Sequence, residues 1–415
     1  MANALLAVLA VLFLARGAEA AGWSNAPGRV PRFEGRYERL GDGRILAVGG
    51  DSQSGLFAGP TATEIYNPRT GAWKQVAPLP EPRGWPFTAV LDEDHVLLVG
   101  GWTANGVGTA TGFVYSIKAD RWAKLKNPLP IDLANTHCWM DAPVLPGGQV
   151  LIAGGWSLAG GFPGFISTRS FVFTPGRHHP EDGTWSETGP LSAPRSTASV
   201  LRLDDGRFLH VGGIQEPLAF TTTATGDIFN PRTMTWSAIP PMPPTTTDDN
   251  LADFGYTEAL NTDGNAGSRW QPLAAVLGNG EVLVAGGATF GFTNFVIRKS
   301  AVIFNPRRNT WRETAPLSEW RDGGRGAALR SRDDEVLFIG RSHFGFTDDL
   351  SVEKFVEGER WVPISSPTSD PTLSSFGGFA LQVERGLLFL VGAVNATPGD
   401  LVASGTNFLF VPGGR

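Results

Sequence analysis

The chain has 415 residues, of which 53 are glycine, 31 are proline and only one is cysteine. Lysine and arginine total 34 against 40 for aspartate and glutamate, and this net charge of −6 excludes the basic footprint of a nucleic-acid-binding protein. The single cysteine, Cys138, excludes an internal disulfide and a zinc–thiolate cluster.

The first predicted element is a signal peptide. Residues 4–15 form an apolar run that is too short to span a membrane, and Ala18-Glu19-Ala20 follows it as an A-x-A cleavage site. No Lys or Arg precedes the run, although a signal peptide normally begins with a positive charge. Either the start codon is misassigned, or the α-amino group serves as the positive end. The sequence therefore predicts a signal peptide at 1–20, cleaved after Ala20. The mature chain at 21–415 is predicted to be secreted or periplasmic, with no membrane span.

A short apolar strand followed by a glycine signal then recurs seven times, at intervals of 51 to 74 residues. This period is typical of propeller blades, and the longest interval contains an insertion at residues 240–271. Five copies carry a double glycine, beginning at Gly49, Gly100, Gly154, Gly212 and Gly286, and two degenerate copies begin at Gly340 and Gly392.

A second signal recurs in the same phase as the glycines. It consists of an aromatic residue that ends a strand, a turn, and a tryptophan that opens the next strand. We expect these repeat tryptophans to be buried between blades. The pairs are Tyr66/Trp73, Tyr115/Trp122, Phe173/Trp185, Phe229/Trp236, Phe304/Trp311 and Phe355/Trp361.

The double glycine, the aromatic residue and the tryptophan together resemble the kelch repeat family over residues 21–415. Kelch propellers have four antiparallel strands per blade, called a to d from the axis outward. The resemblance predicts an all-β, seven-bladed kelch-type β-propeller. The last copy has no tryptophan strand, whereas Trp23 stands alone at the mature start. We therefore predict that residues 22–26 form strand d of the last blade and close the ring.

The two faces of this propeller differ in their predicted loops. Antiparallel order places the b–c and d–a loops on one face, here called the loop face, and the a–b and c–d turns on the opposite face. Binding residues tend to lie on loops held by a rigid scaffold, so the loop face is the candidate site. Its b–c loops are long, at 51–60, 102–110, 156–167, 214–223, 288–298, 341–350 and 393–405.

Arginines, histidines and tryptophans outside the repeat motif concentrate on the loop face. Arginine suits paired hydrogen bonds with a carboxylate, and an indole ring suits stacking on a sugar or an apolar ligand. The predicted ligand-binding residues are Arg83, Trp85, His137, Trp139, Arg195, Arg269, Trp270, Arg325 and His343.

The alternative interpretation of these residues is structural. Arginines at a channel mouth can pair with acids and hold loops together, and loop tryptophans can be packing anchors. The candidate acids are Glu81, Asp141, Glu319 and Asp322, and the further loop-face tryptophans are Trp102, Trp156 and Trp320.

No catalytic or cofactor motif is complete. His137 and Cys138 are adjacent, so on a strand their side chains point to opposite faces and do not form a nucleophile–base pair. Kelch enzymes that resemble galactose oxidase carry copper on two Tyr and two His, but only His137 and His343 fall on the loop face. His178 and His179, on the opposite face, fit a solvated loop better than a metal site. The sequence predicts no cofactor and no metal.

The leading functional prediction is a monomeric, non-catalytic binding module outside the cytoplasm. Its partner would be a glycan, a peptide or a protein, held on the loop face, with no nucleic acid involved. The alternative is a carbohydrate-active enzyme such as a sugar isomerase, for which periplasmic kelch sialic acid mutarotases are the model. Those proteins have six blades, and an acidic sugar would need an arginine and a general acid or base together. A scaffold that binds another protein is the third possibility.

Overall fold

The structure is a computed structural model, and it describes most residues between 22 and 411. The described residues are 22–26, 28–32, 35–51, 59–131, 133, 142–157, 163–218, 221–245, 267–291, 294–321, 336–341, 350–356, 358–364, 373–374, 379–383, 386–390, 393–397, 400–403 and 406–411. Within these ranges the chain forms β-strands and one 3₁₀ turn at Pro180–Asp182. No helix in this part is long and apolar enough to cross a bilayer. The prediction of an all-β fold is confirmed.

Six antiparallel sheets are each built from consecutive strands, and we call them blades 1 to 6 in chain order. Blade 1 contains Arg36–Arg39, Ile45–Val48, Thr63–Asn67 and Ala72–Val76. Blade 2 contains Phe87–Val90, His95–Val99, Gly112–Ser116 and Arg121–Lys124. Blade 3 contains Val150–Ala153, Ser170–Thr174 and Thr184–Glu187, and Val144 bridges Val150 where strand a belongs.

Blades 4 to 6 continue the same order. Blade 4 contains Ser199–Arg202, Phe208–Val211, Gly226–Asn230 and Thr235–Ile239. Blade 5 contains Leu273–Val276, Val282–Ala285, Ala301–Asn305 and Thr310–Thr314. Blade 6 contains strands b to d, Val336–Arg341, Leu350–Val356 and Arg360–Ile364.

One further four-stranded sheet, here called the terminal sheet, joins the two ends of the described chain. Its order is Gly22–Ala26, Asn407–Val411, Gly386–Leu390 and Phe379–Val383. In the register of its first pair, Trp23 lies opposite Phe410 and Asn25 opposite Phe408. The structure thus shows an all-β propeller with six blades made of consecutive strands. A count of seven requires the terminal sheet to act as a blade, which is part of the proposal below.

Three short sheets lie between the main strands. Trp156–Ser157 pairs with Phe165–Ile166, and Ala288–Gly291 pairs with Asn294–Ile297. Both pairs occupy b–c connections, so they extend the loop face of blades 3 and 5. Near the end of the chain, Leu373–Ser374 pairs with Ala393–Thr397, which also pairs with Asp400–Ala403.

Burial along the strands follows from their distance to the axis. Strands b such as Ile45–Val48 and Val282–Ala285 are buried at every residue. Strands d such as Ala72–Val76 contain only exposed and half-buried residues. An inner strand is covered on both faces by neighbouring blades, whereas an outer strand has one face toward water. The core therefore lies between blades, as in the cluster of Leu97, Val99, Ile152 and Phe173 from blades 2 and 3.

The double glycines join each blade to the next. Gly49 and Gly50 have φ of 63° and 99°, a left-handed conformation that favours glycine. The N–H of Gly50 then donates to the carbonyl of Arg83 in the next blade at 2.9 Å. The same bond recurs from Gly155 to Arg195 (2.9 Å), from Gly213 to Arg269 (2.8 Å) and from Gly287 to Arg321 (2.9 Å).

The repeat tryptophans also cross between blades, although they are half-buried rather than fully buried. Trp236 of blade 4 donates its Nε1 to Ser170 Oγ of blade 3 at 3.1 Å. Trp311 of blade 5 donates to the carbonyl of Pro240, after blade 4, at 2.8 Å. Each ring packs on its aromatic partner, with centroids 4.8 Å apart for Phe304 and Trp311. The repeat tryptophan therefore both packs on its own blade and ties it to the preceding one.

Candidate ligand-binding face

The structure describes five of the nine predicted ligand-binding residues: Arg83, Trp85, Arg195, Arg269 and Trp270. The other four predicted residues, His137, Trp139, Arg325 and His343, lie outside the described residues.

Arg195 lies just before strand a of blade 4, and its side chain points into that blade. Its Nη1 donates to the carbonyls of Gly212 (3.2 Å) and Thr225 (2.7 Å). Its Nη2 donates to Thr225 Oγ1 at 2.9 Å and to Asp227 Oδ2 at 2.8 Å. Asp227 also accepts bonds from the N–H and the hydroxyl of Ser192. The side chains of Arg195 and Asp227 are 0% and 1% exposed, so Arg195 forms a buried ion pair with an aspartate of strand c.

Arg83 and Arg269 occupy the same position in blades 2 and 5. Arg83 contacts Glu81 at 2.9 Å, which confirms one predicted partner, and its guanidinium lies over the ring of Phe113. Arg269 donates to the carbonyl of Gly286 at 2.8 Å and to the carbonyl and hydroxyl of Ser300 at 3.0 and 2.7 Å. Both arginines are 0% exposed.

The same arrangement includes two arginines that the sequence analysis missed. Arg32 pairs with Glu64 at 2.9 Å in blade 1, and Arg321 pairs with Glu353 at 2.8 Å in blade 6. Arg321 thus holds in blade 6 the position for which Arg325 was predicted. Arg32 follows Trp23 by nine residues and Arg321 follows Trp311 by ten. This spacing is a weak signal, because the acid that pairs with each arginine lies on strand c, 32 residues after the arginine.

Burial shapes the charge of these groups. Desolvation lowers the pKa of Arg195, while the neighbouring Asp227 carboxylate raises it again in part. Desolvation likewise lowers the pKa of Arg83, against the effect of Glu81. The guanidinium groups of Arg83, Arg195 and Arg269 bind within their own blades. The backbone carbonyls of the same arginines accept hydrogen bonds from the double glycine of the preceding blade. These contacts account for the arginines as links between blades, and ligand contact by Arg83, Arg195 and Arg269 stays an untested prediction.

Four of the six predicted loop-face tryptophans come together, whereas Trp320 is not part of their cluster and Trp139 lies outside the described residues. Trp85, Trp102, Trp156 and Trp270 form one cluster, here called the tryptophan belt, with Ile166, Ile214 and Ala288. The belt spans blades 2 to 5, and the tryptophans are 6–9% exposed. The ring centroids of Trp85 and Trp102 are 3.9 Å apart. Two predicted site residues, Trp85 and Trp270, are therefore joined by Trp102 and Trp156.

Backbone bridges explain why these side chains meet. The residue after each arginine pairs with the residue after the double glycine of the same blade, as in Gly84↔Trp102, Ser196↔Ile214 and Trp270↔Ala288. A Cβ on Gly84 would lie only 2.1 Å from the Trp102 indole, so glycine is required where that ring crosses the chain.

Backbone strain occurs at equivalent positions of blades 2, 4 and 5, in or next to the belt. Trp85, Thr197 and Gln271 have φ of 48°, 58° and 47°, a left-handed conformation that is uncommon for non-glycine residues. Each is the second residue after the arginine of its blade. Such strain persists where the surrounding structure fixes the chain, and it often occurs at functional sites. The packed belt fixes the chain here.

Exposed apolar side chains lie beside the belt. Within the described ranges, the exposed large hydrophobic residues are Val107 (42%), Phe165 (50%) and Leu218 (65%). We call these three residues the apolar tips. They lie in the b–c loops of blades 2, 3 and 4, which are consecutive, and Phe165 pairs with Ser157 next to Trp156. The sequence analysis missed these residues, and no sequence signal separates them from other apolar residues of the same loops, such as Leu158 and Phe220.

The described part of the chain contains no group of three or more His, Cys, Asp and Glu that could hold a metal ion.

Comparisons with known proteins agree with this architecture. No protein-family model matches the chain. Human Kelch-like protein 34 is 28% identical over 208 residues, which cover 48% of this chain and only 30% of that protein. The solved structure of YjhT superposes with a TM-score of 0.57 at 15% identity, covering 82% of this chain and 99% of that one. With the repeat motifs, these likenesses support a kelch-repeat β-propeller.

Proposed function

We propose that this protein is a secreted or periplasmic interaction module that binds a peptide segment of a partner through its loop face. The observation that carries the proposal is the exposure of the apolar tips, Val107, Phe165 and Leu218, in the b–c loops of three consecutive blades. Contiguous apolar patches mark interaction sites in soluble proteins, and we propose that the three tips form one such patch. Kelch propellers are interaction modules in general, which supports this reading of the face.

The geometry favours a peptide over a glycan. A sugar stacks on an open aromatic face, but the belt tryptophans are nearly covered, at 6–9% exposure. The tips are two aliphatic side chains and one phenyl ring, which suit the apolar side chains of a polypeptide. The belt beneath them is rigid because it is bridged and packed, and a preformed surface lowers the entropy cost of binding.

We further propose that the terminal sheet is a seventh blade and that Gly22–Ala26 closes a monomeric ring as its outer strand. Two observations support this assignment. Gly22–Ala26 pairs along its whole length with Asn407–Val411. Leu388 of the terminal sheet is buried against Ile45 and Tyr66 of blade 1, so the sheet packs on blade 1 as one blade packs on the next.

The function is tested by selecting a phage-displayed random peptide library on the immobilised protein. The expected result is enrichment of peptides with apolar and aromatic residues. The triple variant Val107→Ser, Phe165→Ser, Leu218→Ser should weaken binding of the selected peptides at least tenfold, because it removes the apolar area that the peptide would bury on the tips. All three side chains are exposed, so the thermal midpoint should not change.

The matched control is Lys118→Ser, Arg232→Ser, Arg307→Ser, three exposed residues in the c–d turns of the opposite face. It should bind the selected peptides like the wild type. Equal weakening in both triple variants would overturn the proposal. So would the absence of peptide selection together with binding on a glycan array, or catalysis of sugar anomer exchange seen by NMR, which are the results that the glycan and isomerase alternatives predict.

A further inference from the structure

A polar cavity of about 270 Å³ lies on the face opposite the loop face, between blades 2 and 3. Three segments form its walls: residues 91–95 from the a–b turn of blade 2, Gly147 and Gly148 from the a–b turn of blade 3, and residues 174–180 from the c–d connection of blade 3. Neither the repeat arginines nor the tryptophan belt contributes to it.

The cavity exists because blade 3 departs from the repeat. Its c–d connection, residues 175–183, has nine residues, whereas the equivalent connection has four in blades 1, 2, 4 and 5, such as residues 68–71. The extra residues include Arg177 and His178, which are exposed and line the cavity. A charged insertion in one copy of a repeat, on a face with short turns, is a local departure of the kind found at functional sites.

The second half of this insertion is anchored, and the first half is left facing the cavity. Residues Pro180–Asp182 form the 3₁₀ turn. Asn127 Nδ2 donates to the carbonyl of Gly183 at 2.9 Å, and Lys126 Nζ pairs with Asp182 at 2.6 Å. These contacts tie the insertion to the end of blade 2, so Arg177 and His178 are presented by a fixed loop.

The opposite wall is a prearranged aspartate–histidine pair. Asp92 accepts bonds from the backbone N–H of Asp94 at 2.7 Å and of His95 at 2.8 Å, and from His95 Nδ1 at 3.0 Å. Partial burial opposes ionisation of Asp92, but these hydrogen bonds hold the pKa of its carboxyl below the ordinary value. The Asp92 carboxylate is thus ionised, and its hydrogen bonds are made within its own turn rather than to the insertion.

Arg177 is the cation in the lining of the cavity, and it makes no ion pair with any described residue. Its neighbour His178 is exposed beside it. The floor is formed by Gly147 and Gly148, whose φ angles of 101° and 80° favour glycine and whose lack of side chains leaves the space open.

We propose that this cavity binds a small oxyanion, a carboxylate or a phosphate group, with Arg177 as the main contact and His178 as a second donor. The planar guanidinium fork matches the two oxygens of either group, and the cavity volume limits the ligand to a small molecule. The site is independent of the loop face and of the peptide proposed to bind there.

The test is isothermal titration of the protein with inorganic phosphate and, separately, with acetate, both at constant ionic strength because exposed charges are screened by salt. The site predicts saturable binding of at least one anion, with a Kd of about 1 mM or tighter. Arg177→Gln should weaken binding at least tenfold and His178→Asn by a smaller factor, with unchanged thermal midpoints because both side chains are exposed.

The matched control is Arg232→Gln, which removes the same charge from the c–d turn of blade 4 on the same face. It should leave the titration unchanged. Equal weakening by Arg177→Gln and Arg232→Gln would show non-specific attraction to the surface and overturn the proposal. The absence of saturation with both anions would also overturn it. The anion that binds more tightly identifies whether the natural ligand carries a phosphate or a carboxylate.

Discussion

Replacing Asp227 by asparagine should destabilise the protein by about 3–5 kcal/mol, because it leaves the buried Arg195 guanidinium without its counter-ion. The two side chains are 1% and 0% exposed. Asp227 Oδ2 accepts from Arg195 Nη2 at 2.8 Å and from Ser192 Oγ at 3.0 Å, and Oδ1 accepts from the Ser192 N–H at 3.1 Å. Bonds to a charged group contribute about 1.5–3 kcal/mol each. Asparagine keeps one acceptor oxygen but no charge, so at least one of these bonds is lost and the others become neutral, which accounts for much of the expected change.

The assay is urea unfolding followed by tryptophan fluorescence and circular dichroism, in which a lower midpoint at constant slope reports lost stability. The matched control is Asp205→Asn in the a–b turn of the same blade. Asp205 pairs with Arg207 at 2.7 Å, but the two side chains are 48% and 32% exposed. Exposed pairs contribute less than about 1 kcal/mol. The same chemical change should thus have a several-fold smaller effect at the surface.

Blade 3 indicates a second substitution that should compensate for the loss of Asp227. Leu133 occupies the position of Arg195, since its carbonyl accepts from Gly101 as that of Arg195 accepts from Gly155. Phe171 occupies the position of Asp227 on strand c. The double variant Arg195→Leu, Asp227→Phe should therefore lose less stability than Asp227→Asn alone, because an apolar pair can replace a buried ion pair at little cost. The reasoning is refuted if Asp227→Asn loses no more than Asp205→Asn, or if the double variant loses the sum of its two single changes.

Two further predictions concern blade 4 and the terminal sheet. Desolvation, followed by the charge of Arg195, lowers the pKa of the fully buried His210 well below 6.5, so the folded chain takes up its proton at lower pH than the unfolded chain. Stability should therefore fall as pH drops below 6.5, by up to about 1.4 kcal/mol per pH unit. In urea unfolding at pH 6.5 and 5.5, His210→Leu should remove this loss and His179→Leu, at an exposed site, should keep it; parallel profiles for His210→Leu and the wild type would contradict the argument. Deleting residues 22–26 should lower the thermal midpoint, because Asn407–Val411 loses its partner strand, whereas Ser24→Ala should not; an unchanged midpoint after the deletion would remove the closure proposal.

The repeat could be predicted from the sequence because its signals have direct steric and packing causes. Gly49 and Gly50 take positive φ where the chain leaves strand b, and few other residues tolerate that conformation. Trp311 stands a fixed distance after Phe304 because the two face each other across strands c and d. Period and spacing are local properties of the chain, so they can be recognised without knowledge of the long-range contacts.

The direction of the arginines could not be predicted in this way. Arg195 precedes strand a at the loop face, and from its position alone it could point to the channel mouth or into the blade. Its direction depends on Asp227, 32 residues later, and on carbonyls that become available only when strands b and c pair. The nearby acids considered from sequence include one actual partner, Glu81, because it lies two residues from Arg83.

Comparison of the blades with one another separates structural from functional departures from the repeat. At the buried position of Arg195 and Asp227, blade 1 has Arg32 with Glu64, blade 2 has Arg83 over Phe113, and blade 3 has Leu133 with Phe171. These side chains occupy the same buried position in each blade, so variation there reflects packing. Variation at the exposed surface has no such explanation. The apolar tips raise the free energy of the isolated protein in water, and the nine-residue insertion of blade 3 adds charge that no core contact requires. These two features are the basis for the two ligand sites that we propose, one on each face.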